Sequence, residues 1–221
     1  MKKTFPSVFI VAALSLTLAT TAAASLVIDS SSALAAITAP IATYKRGIVF
    51  TTGSAGPYTI NDIKLKFSVS VLGSYTFIAG IYDVVSNLPS SLRASATLPI
   101  IATSTGFQLY DFNSAVLNSL GTYSLGSGVQ YALIFTGSSS PNALLVRNSL
   151  TIASYTVSDG FTVDNSVFSS GVLWQSVPAQ SYVLQLDVGG PTPAVPEPST
   201  YALFSLGIGG LALLKRRQGR A

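Results

Sequence analysis

Asp159 and Asp164 are the residues whose type and spacing come closest to a chemical site. They lie five positions apart in the segment Ser-Asp-Gly-Phe-Thr-Val-Asp-Asn. Two carboxylates could form an acid and base pair that cleaves glycosidic bonds, or could bind calcium through their oxygens. The segment lacks the ligand spacing of an EF-hand loop, however, and Asp-Gly is common in hairpin turns. We interpret it as a turn, with calcium binding as the alternative.

Trp174 and the Gly-Ser-Gly segment at residues 126–128 are the next candidates. Trp174, with Tyr155, Phe161 and Phe168 nearby in the sequence, could stack on a sugar ring, although such rings more often fill a sandwich core. Residues 126–128 are too few for a phosphate-binding loop, and no lysine follows them. We predict core packing for the aromatic residues and a turn for residues 126–128.

The composition excludes several classes of catalytic site. The chain of 221 residues contains no His and no Cys, and its one glutamate is Glu197. It therefore cannot form a Ser-His-Asp triad, a thiolate nucleophile, a disulfide or a Cys-ligated metal site. We predict no catalytic residue, no cofactor and no metal, and hence that the protein is not an enzyme.

The net charge of +4 belongs to the two ends of the chain. Residues 2–3 and 215–220 hold six of the 12 basic residues, and the interior keeps six basic residues against seven aspartates. A nucleic-acid-binding domain would carry a basic patch on its folded part. The charge pattern therefore predicts no nucleic-acid partner.

The N-terminus has the pattern of a secretory signal. Lys2 and Lys3 precede an apolar run at residues 8–18, and small residues including Ala22 and Ala24 follow. Eleven apolar residues are too few to cross about 30 Å of hydrocarbon as a helix. We predict that residues 1–24 direct export through the Sec machinery and that cleavage occurs after Ala24.

The C-terminus combines an extended segment with an apolar run and a basic end. A Gly- and Pro-rich linker at residues 189–195 leads into Pro196, Glu197 and Pro198. Proline disfavours a helix at its own position and just before it, so this tripeptide is expected to be extended.

The apolar run at residues 201–214 is followed by Lys215, Arg216 and Arg217. As a helix this run would measure about 21 Å, which suits a short or transient membrane segment with basic flanks. The basic cluster would stop transfer and stay on the cytoplasmic side. We therefore predict that the chain contacts the membrane through this segment before processing.

Residues 196–221 contain a Pro-Glu-Pro tripeptide, an apolar run and a basic end in this order. This arrangement resembles the PEP-CTERM sorting signal of Gram-negative bacteria that export polysaccharide. The resemblance implies that an exosortase, a membrane protease of transpeptidase type, recognises the tail and removes it near Pro196, Glu197 and Pro198. The protein would then reach the cell surface or the medium. The alternative is an ordinary hydrophobic tail anchor.

The central part of the chain has the periodicity of β-strands. Apolar side chains alternate with polar ones between Ile63 and Val69, as expected for a strand with one buried face. Candidate strands lie at residues 47–52, 58–69, 75–82, 107–112, 129–135, 143–146, 172–174 and 182–188. Turn residues separate them, including residues 88–90, and no convincing amphipathic helix interrupts them. This pattern predicts an all-β, antiparallel sandwich or jelly roll over residues 47–188, with 75–82 as a central strand.

The same region resembles the choice-of-anchor R domains found upstream of several surface anchors. The resemblance rests on Phe-Thr-Thr-Gly-Ser at residues 50–54, Tyr-Thr-Ile at 58–60, Ile-Tyr-Asp at 81–83, Leu-Pro at 88–89, and the strand at 128–133. It implies an extracellular β-domain without known catalytic activity. Residues 25–46 would form an Ala- and Ser-rich leader or a first strand.

These observations favour an exported, non-enzymatic protein of the cell surface or extracellular matrix, associated with biofilm or exopolysaccharide. The alternative is a carbohydrate-binding module for the exported polysaccharide. An exposed row of aromatic rings would favour the binding module, and a cleft with paired aspartates would favour an enzyme.

Overall fold

The computed structural model describes residues 24–30, 37–40, 44–69, 71–137, 143–148, 155–177 and 181–190. They form fourteen strands and one helix. In chain order these are β1 (Ala24–Asp29), β2 (Ile37–Pro40), β3 (Lys45–Thr51), β4 (Thr59–Val69), β5 (Gly73–Val85), β6 (Leu88–Ala102), β7 (Gly106–Asn113), α1 (Ser114–Thr122), β8 (Gln130–Gly137), β9 (Ala143–Asn148), β10 (Thr156–Val157), β11 (Thr162–Ser169), β12 (Trp174–Ser176), β13 (Ser181–Tyr182) and β14 (Leu184–Gly189).

Six strands form one sheet, the small sheet, in the order β12-β11-β3-β8-β5-β6. Every neighbouring pair in it is antiparallel. β5 lies between β8 and β6, so the prediction of a central strand at residues 75–82 is confirmed.

The other sheet, the large sheet, has eight antiparallel strands. Its main path is β10-β1-β14-β4-β9-β13, while β2 pairs with β9 and β7 pairs with β4. Residues 62–65 of β4 pair with β14 and with β7 at once, so these two strands lie on opposite sides of β4. β14, the last described strand, thus lies between the first strand and β4.

The core lies between the two sheets. Alternation along β4 buries Ile63, Leu65 and Phe67, which are at most 1% exposed. Phe67 stacks on Phe77 of the small sheet with 4.4 Å between ring centroids. Because buried side chains from both sheets belong to one apolar cluster, the predicted antiparallel sandwich is confirmed for the described residues.

The helix α1 was not expected from the sequence. The side chain of Asn113 caps it by accepting a hydrogen bond from the Ala115 backbone N–H at 3.1 Å. Leu117 and Leu120 are fully buried, so this face of the helix joins the sandwich core. An Asn followed by apolar residues at such short spacing is a weak signal, and nine residues would not be a stable helix without this packing.

The predicted turn at residues 88–90 is wrong, because β6 begins at Leu88. The chain turns instead at Ser86 and Asn87, whose φ angles are 53° and 60°. Two successive positive φ angles give the tight hairpin that matches strand twist, and Asn tolerates this region better than most residues. Pro89 is accommodated because β6 is an edge strand, where a missing N–H costs no ladder bond.

β11 was missed, and β12 begins at Trp174, two residues after the start of the strand predicted at 172–174. Asn165 and Ser166 of β11 are buried although they are polar, and they interrupt the apolar alternation that indicates a strand. β11 forms because it pairs antiparallel with β3. This pairing joins residues far apart in the chain, so the local sequence does not indicate it.

The first strand, β1, adds residues 24–29 to the large sheet. It pairs with β14 from Ala24 opposite Gly189 to Asp29 opposite Gln185. The predicted secretory signal and the predicted C-terminal apolar helix lie outside the described residues, apart from Ala24 itself. In the part of the chain that the structure describes, no helix is long and apolar enough to cross a membrane.

The buried face of β4 is expected to dominate stability. Leu65→Ala removes a side chain that is 0% exposed and should lower the free energy of unfolding by about 2–5 kcal/mol. Leu173→Ala truncates a leucine that is 72% exposed, and it should change that free energy by less than about 0.5 kcal/mol. Denaturant unfolding of a fragment spanning residues 24–190 measures both. Equal effects of the two substitutions would contradict the assigned core.

Candidate functional site

Asp159 lies in a tight turn, as the sequence predicted for the Asp-Gly pair. Asp159 and Gly160 have φ angles of 53° and 74°. The Phe161 backbone N–H donates to the Ser158 carbonyl at 2.9 Å, which closes the turn. The Asp159 carboxylate accepts a hydrogen bond from the Ser25 hydroxyl at 2.6 Å and so ties the turn to β1.

Asp164 belongs to a different hydrogen-bond network, on β11. Its Oδ2 accepts from the Thr51 hydroxyl at 2.6 Å and from Gln130 Nε2 at 2.8 Å, while its Oδ1 accepts from the Thr162 hydroxyl at 2.8 Å. Gln130 also donates to Asn87 at 2.9 Å. The Oδ2 atom of Asp164 therefore links β11 to β3 and β8, whereas its Oδ1 atom bonds within β11. The structure gives Asp159 and Asp164 separate partners.

The Thr-Thr-Gly segment at residues 51–53, which begins with the last residue of β3, contacts two other loops. The Thr52 hydroxyl donates to the Gly126 carbonyl at 2.6 Å and accepts from the Val129 backbone N–H at 2.9 Å. A Cβ on Gly53 would lie 1.9 Å from the Asp159 carbonyl oxygen, so only glycine allows this approach. The 126–128 segment predicted to be a turn is part of this contact, because the Gly128 N–H donates to the Gly53 carbonyl at 3.0 Å.

The aromatic residues near Trp174 do not form an exposed platform. Tyr155 and Phe161 are at most 8% exposed and belong to the main core. Phe168 packs under the Arg46 guanidinium, whose Cζ lies 4.6 Å from the ring centroid. Trp174 is half-buried, and it meets Tyr82 edge to face at 6.3 Å between centroids.

This Trp174–Tyr82 pair covers the outer face of the small sheet. Beneath it lies a second, smaller apolar cluster, formed by Val49, Ala132, Ile134 and Val167. Trp174 therefore packs against apolar side chains, but it does not enter the sandwich core that was predicted for it. The cluster that it contacts lies on the outer face of the small sheet, and the sequence did not indicate a cluster there.

The most unusual electrostatic site is a carboxylate cluster around Lys64 on the large sheet. The Lys64 ammonium lies 3.4 Å from an oxygen of Asp62 and 3.6 Å from an oxygen of Asp111. Asp62 pairs with Asp187 across β4 and β14, while Lys64 pairs with Asp111 across β4 and β7. Three strands thus bring three carboxylates to one ammonium group.

Burial is the main cause of the pKa shifts of the aspartates in this cluster, and neighbouring charges add to it. Burial, together with a hydrogen bond to Asp111 and its charge, raises the pKa of Asp62 to about 6, although Lys64 opposes the shift. Burial also raises the pKa of Asp187. The charge of Asp62 raises the pKa of Lys64 in turn. Asp62 therefore keeps its proton at mildly acidic pH.

Proton uptake is the chemistry that this cluster supports. Within the described ranges, no group of three or more His, Cys, Asp or Glu residues is arranged to hold a metal ion. The cluster is not recognisable in the sequence, because Asp62, Asp111 and Asp187 lie in separate predicted strands. Strand order and register bring them together, and neither can be derived from the spacing of the residues.

The C-terminal end of the chain matches a known sorting motif. Residues 194–218 match the PEP-CTERM protein-sorting motif. The match includes the predicted processing residues Pro196, Glu197 and Pro198 and the basic cluster Lys215, Arg216 and Arg217, all of which lie outside the described residues. The motif indicates an exported, surface-directed protein that is sorted by an exosortase.

A search of curated proteins found no match. The resemblance of residues 47–188 to choice-of-anchor R domains therefore stays a prediction, as does signal cleavage after Ala24 with Ala22 and Ala24 as the small residues of the site.

The carboxylate cluster predicts a specific pH dependence of stability. The folded state holds the Asp62 proton up to about pH 6, whereas the unfolded chain releases it near the ordinary pKa of 3.8. Ionised Asp62 therefore destabilises the fold increasingly as the pH rises through this window. Asp62→Asn should raise the melting temperature by about 2 °C near neutral pH and leave it unchanged near pH 4.

Asp83→Asn serves as the control because a hydrogen bond from Arg93 lowers the pKa of Asp83. This variant should lose a little stability at neutral pH and none in acid, which is the opposite pattern. A melting temperature of Asp62→Asn that follows the wild type at every pH would show that Asp62 carries no excess proton.

Proposed function

We propose that this protein is an exported, non-enzymatic component of the cell surface or extracellular matrix, associated with exported polysaccharide. The single observation that carries the proposal is the sorting motif at residues 194–218. In this proposal the β-sandwich is the part that remains after an exosortase has removed the tail.

The proposed roles within the tail follow from its residues. The apolar run at 201–214 and the basic cluster after it hold the exported chain in the membrane, since translocating arginine is costly. The prolines keep the segment around Glu197 extended and therefore accessible to a protease. The Glu197 carboxylate gives that enzyme a specific charged group to recognise.

The described residues support a structural role for the sandwich. Asp159 and Asp164 hold a turn and a strand in place. The chain has no His and no Cys to supply a general base or a thiolate nucleophile. The carboxylates around Lys64 lie on one sheet beside an ammonium group, and among the described residues no nucleophile accompanies them that would suggest catalysis.

The carbohydrate-binding alternative receives less support from the sandwich. Polysaccharide-binding surfaces expose aromatic rings on which sugars stack, and Phe107 is the one aromatic side chain among the described residues that is more than a third exposed. Association with polysaccharide would then rest on the polar Ser- and Thr-rich surface, and we propose it as a weak, multivalent contact.

Processing of the tail is the direct test. In cells with an exosortase, Glu197→Ala should be exported normally but should accumulate as an unprocessed, membrane-bound form. Pro193→Ala, one residue outside the matched segment, should be processed like the wild type. Deleting residues 215–220 should release unprocessed protein from the membrane, because the stop-transfer charge is gone.

Immunoblots of membrane and medium fractions distinguish these forms by size and location. If Glu197→Ala were processed and released like the wild type, the tail would act as a plain hydrophobic anchor, and the sorting role would be lost.

A further inference from the structure

Strands at the edge of a sheet can pair with another chain unless they are protected. Within the described residues, the edge strands are β2, β6, β7, β10, β12 and β13. Four of these, β2, β10, β12 and β13, are only two to four residues long. The long edge strand β6 contains Pro89, Pro99 and Arg93, which block regular pairing with a neighbour. Short length, proline and charge are the usual protections.

β7 is the exception among these edges. It is eight residues long, contains neither proline nor a basic residue, and pairs with β4 alone among the described strands. Phe107 and Leu109 stand on its outward face, each 50% exposed. A long edge without proline, with two exposed apolar side chains and Asp111 as its one charge, is a site where another strand can add to the sheet.

We propose that β7 pairs antiparallel with β7 of a second copy of this chain, about a two-fold axis at Leu109. The two large sheets would then become continuous across the dimer. A two-fold axis places the same strand on both sides, so the register must be self-complementary. Leu109 faces Leu109 of the second copy, and Phe107 faces Asp111 of the second copy.

The charges of β7 are compatible with this self-pairing. Asp111 is the one charged residue of the strand, and its carboxylate already lies 3.6 Å from Lys64 of its own chain. In the proposed register it stands opposite an uncharged ring, so no like charges meet. The pairing also covers the half-exposed side chains of Phe107 and Leu109 in both copies, which removes apolar area from water.

Disulfide trapping tests the register, because the chain contains no cysteine of its own. In the full chain, Leu109→Cys should form disulfide-linked dimers under mild oxidation, since directly opposed residues have Cα atoms about 4.5–5.5 Å apart. Phe107→Cys is the matched control on the same exposed face. Its two copies would be about 13 Å apart along the strands and should not cross-link.

Sedimentation of the full chain in mild detergent tests the dimer itself. The wild type should be a dimer, and Leu109→Lys should be a monomer with an unchanged circular dichroism spectrum. Leu92→Lys, on the edge strand β6 and 52% exposed against 50% for Leu109, should remain a dimer.

A monomeric wild type would overturn the proposal, as would a dimer that survives Leu109→Lys or is broken by Leu92→Lys. Equal cross-linking of Leu109→Cys and Phe107→Cys would overturn the register and the proposal with it. If a different protein occupies β7, the Leu109→Cys chain will fail to cross-link to itself, and the proposal fails. None of these outcomes depends on processing of the C-terminal tail.

Discussion

β14 joins the first described strand of the chain to β4, and the large sheet depends on this insertion. Its backbone pairs with β1 on one side and with β4 on the other. Leu184, Leu186 and Val188 are fully buried and complete the core between the sheets. Because the chain has no cysteine, this pairing and the apolar core must hold the sandwich together without disulfides. Ala24 opposite Gly189 also places the two ends of the described domain side by side.

The position of β14 between β1 and β4 also determines which charged side chains meet on the large sheet. β14 brings Asp187 opposite Asp62, and β7 brings Asp111 opposite Lys64 from the other side of β4. One ammonium group then faces three carboxylates, and burial together with the neighbouring Asp111 raises the pKa of Asp62 to about 6. Among the described strands β7 is outermost on the side of β4 away from β14, and this edge is the one proposed to pair with a second chain. Strand order thus produces both the proton-binding cluster and the proposed dimer edge.

The sequence predicted the features that depend on local pattern. Alternation identified β4, a run of β-branched and aromatic residues identified β5, and Asp-Gly identified the turn at Asp159. The sorting motif was also predictable, because its parts are consecutive in the chain and are recognised as a linear signal. Features that depend on register were not predictable. β11 contains buried polar residues, α1 gains its stability from packing, and the Lys64 cluster draws its carboxylates from three strands.

Trapping of the β1–β14 register in the exported protein tests this account most directly. Leu26 stands opposite Asp187, so a chain carrying Leu26→Cys and Asp187→Cys should form an intramolecular disulfide after export. Leu26→Cys combined with Gln185→Cys is out of register by two residues, with Cα atoms about 8 Å apart, and should stay reduced. Electrophoresis of thiol-labelled protein distinguishes these states. A disulfide in the first variant alone is the predicted result, whereas equal oxidation of both or of neither would contradict the closure of the sheet by β14.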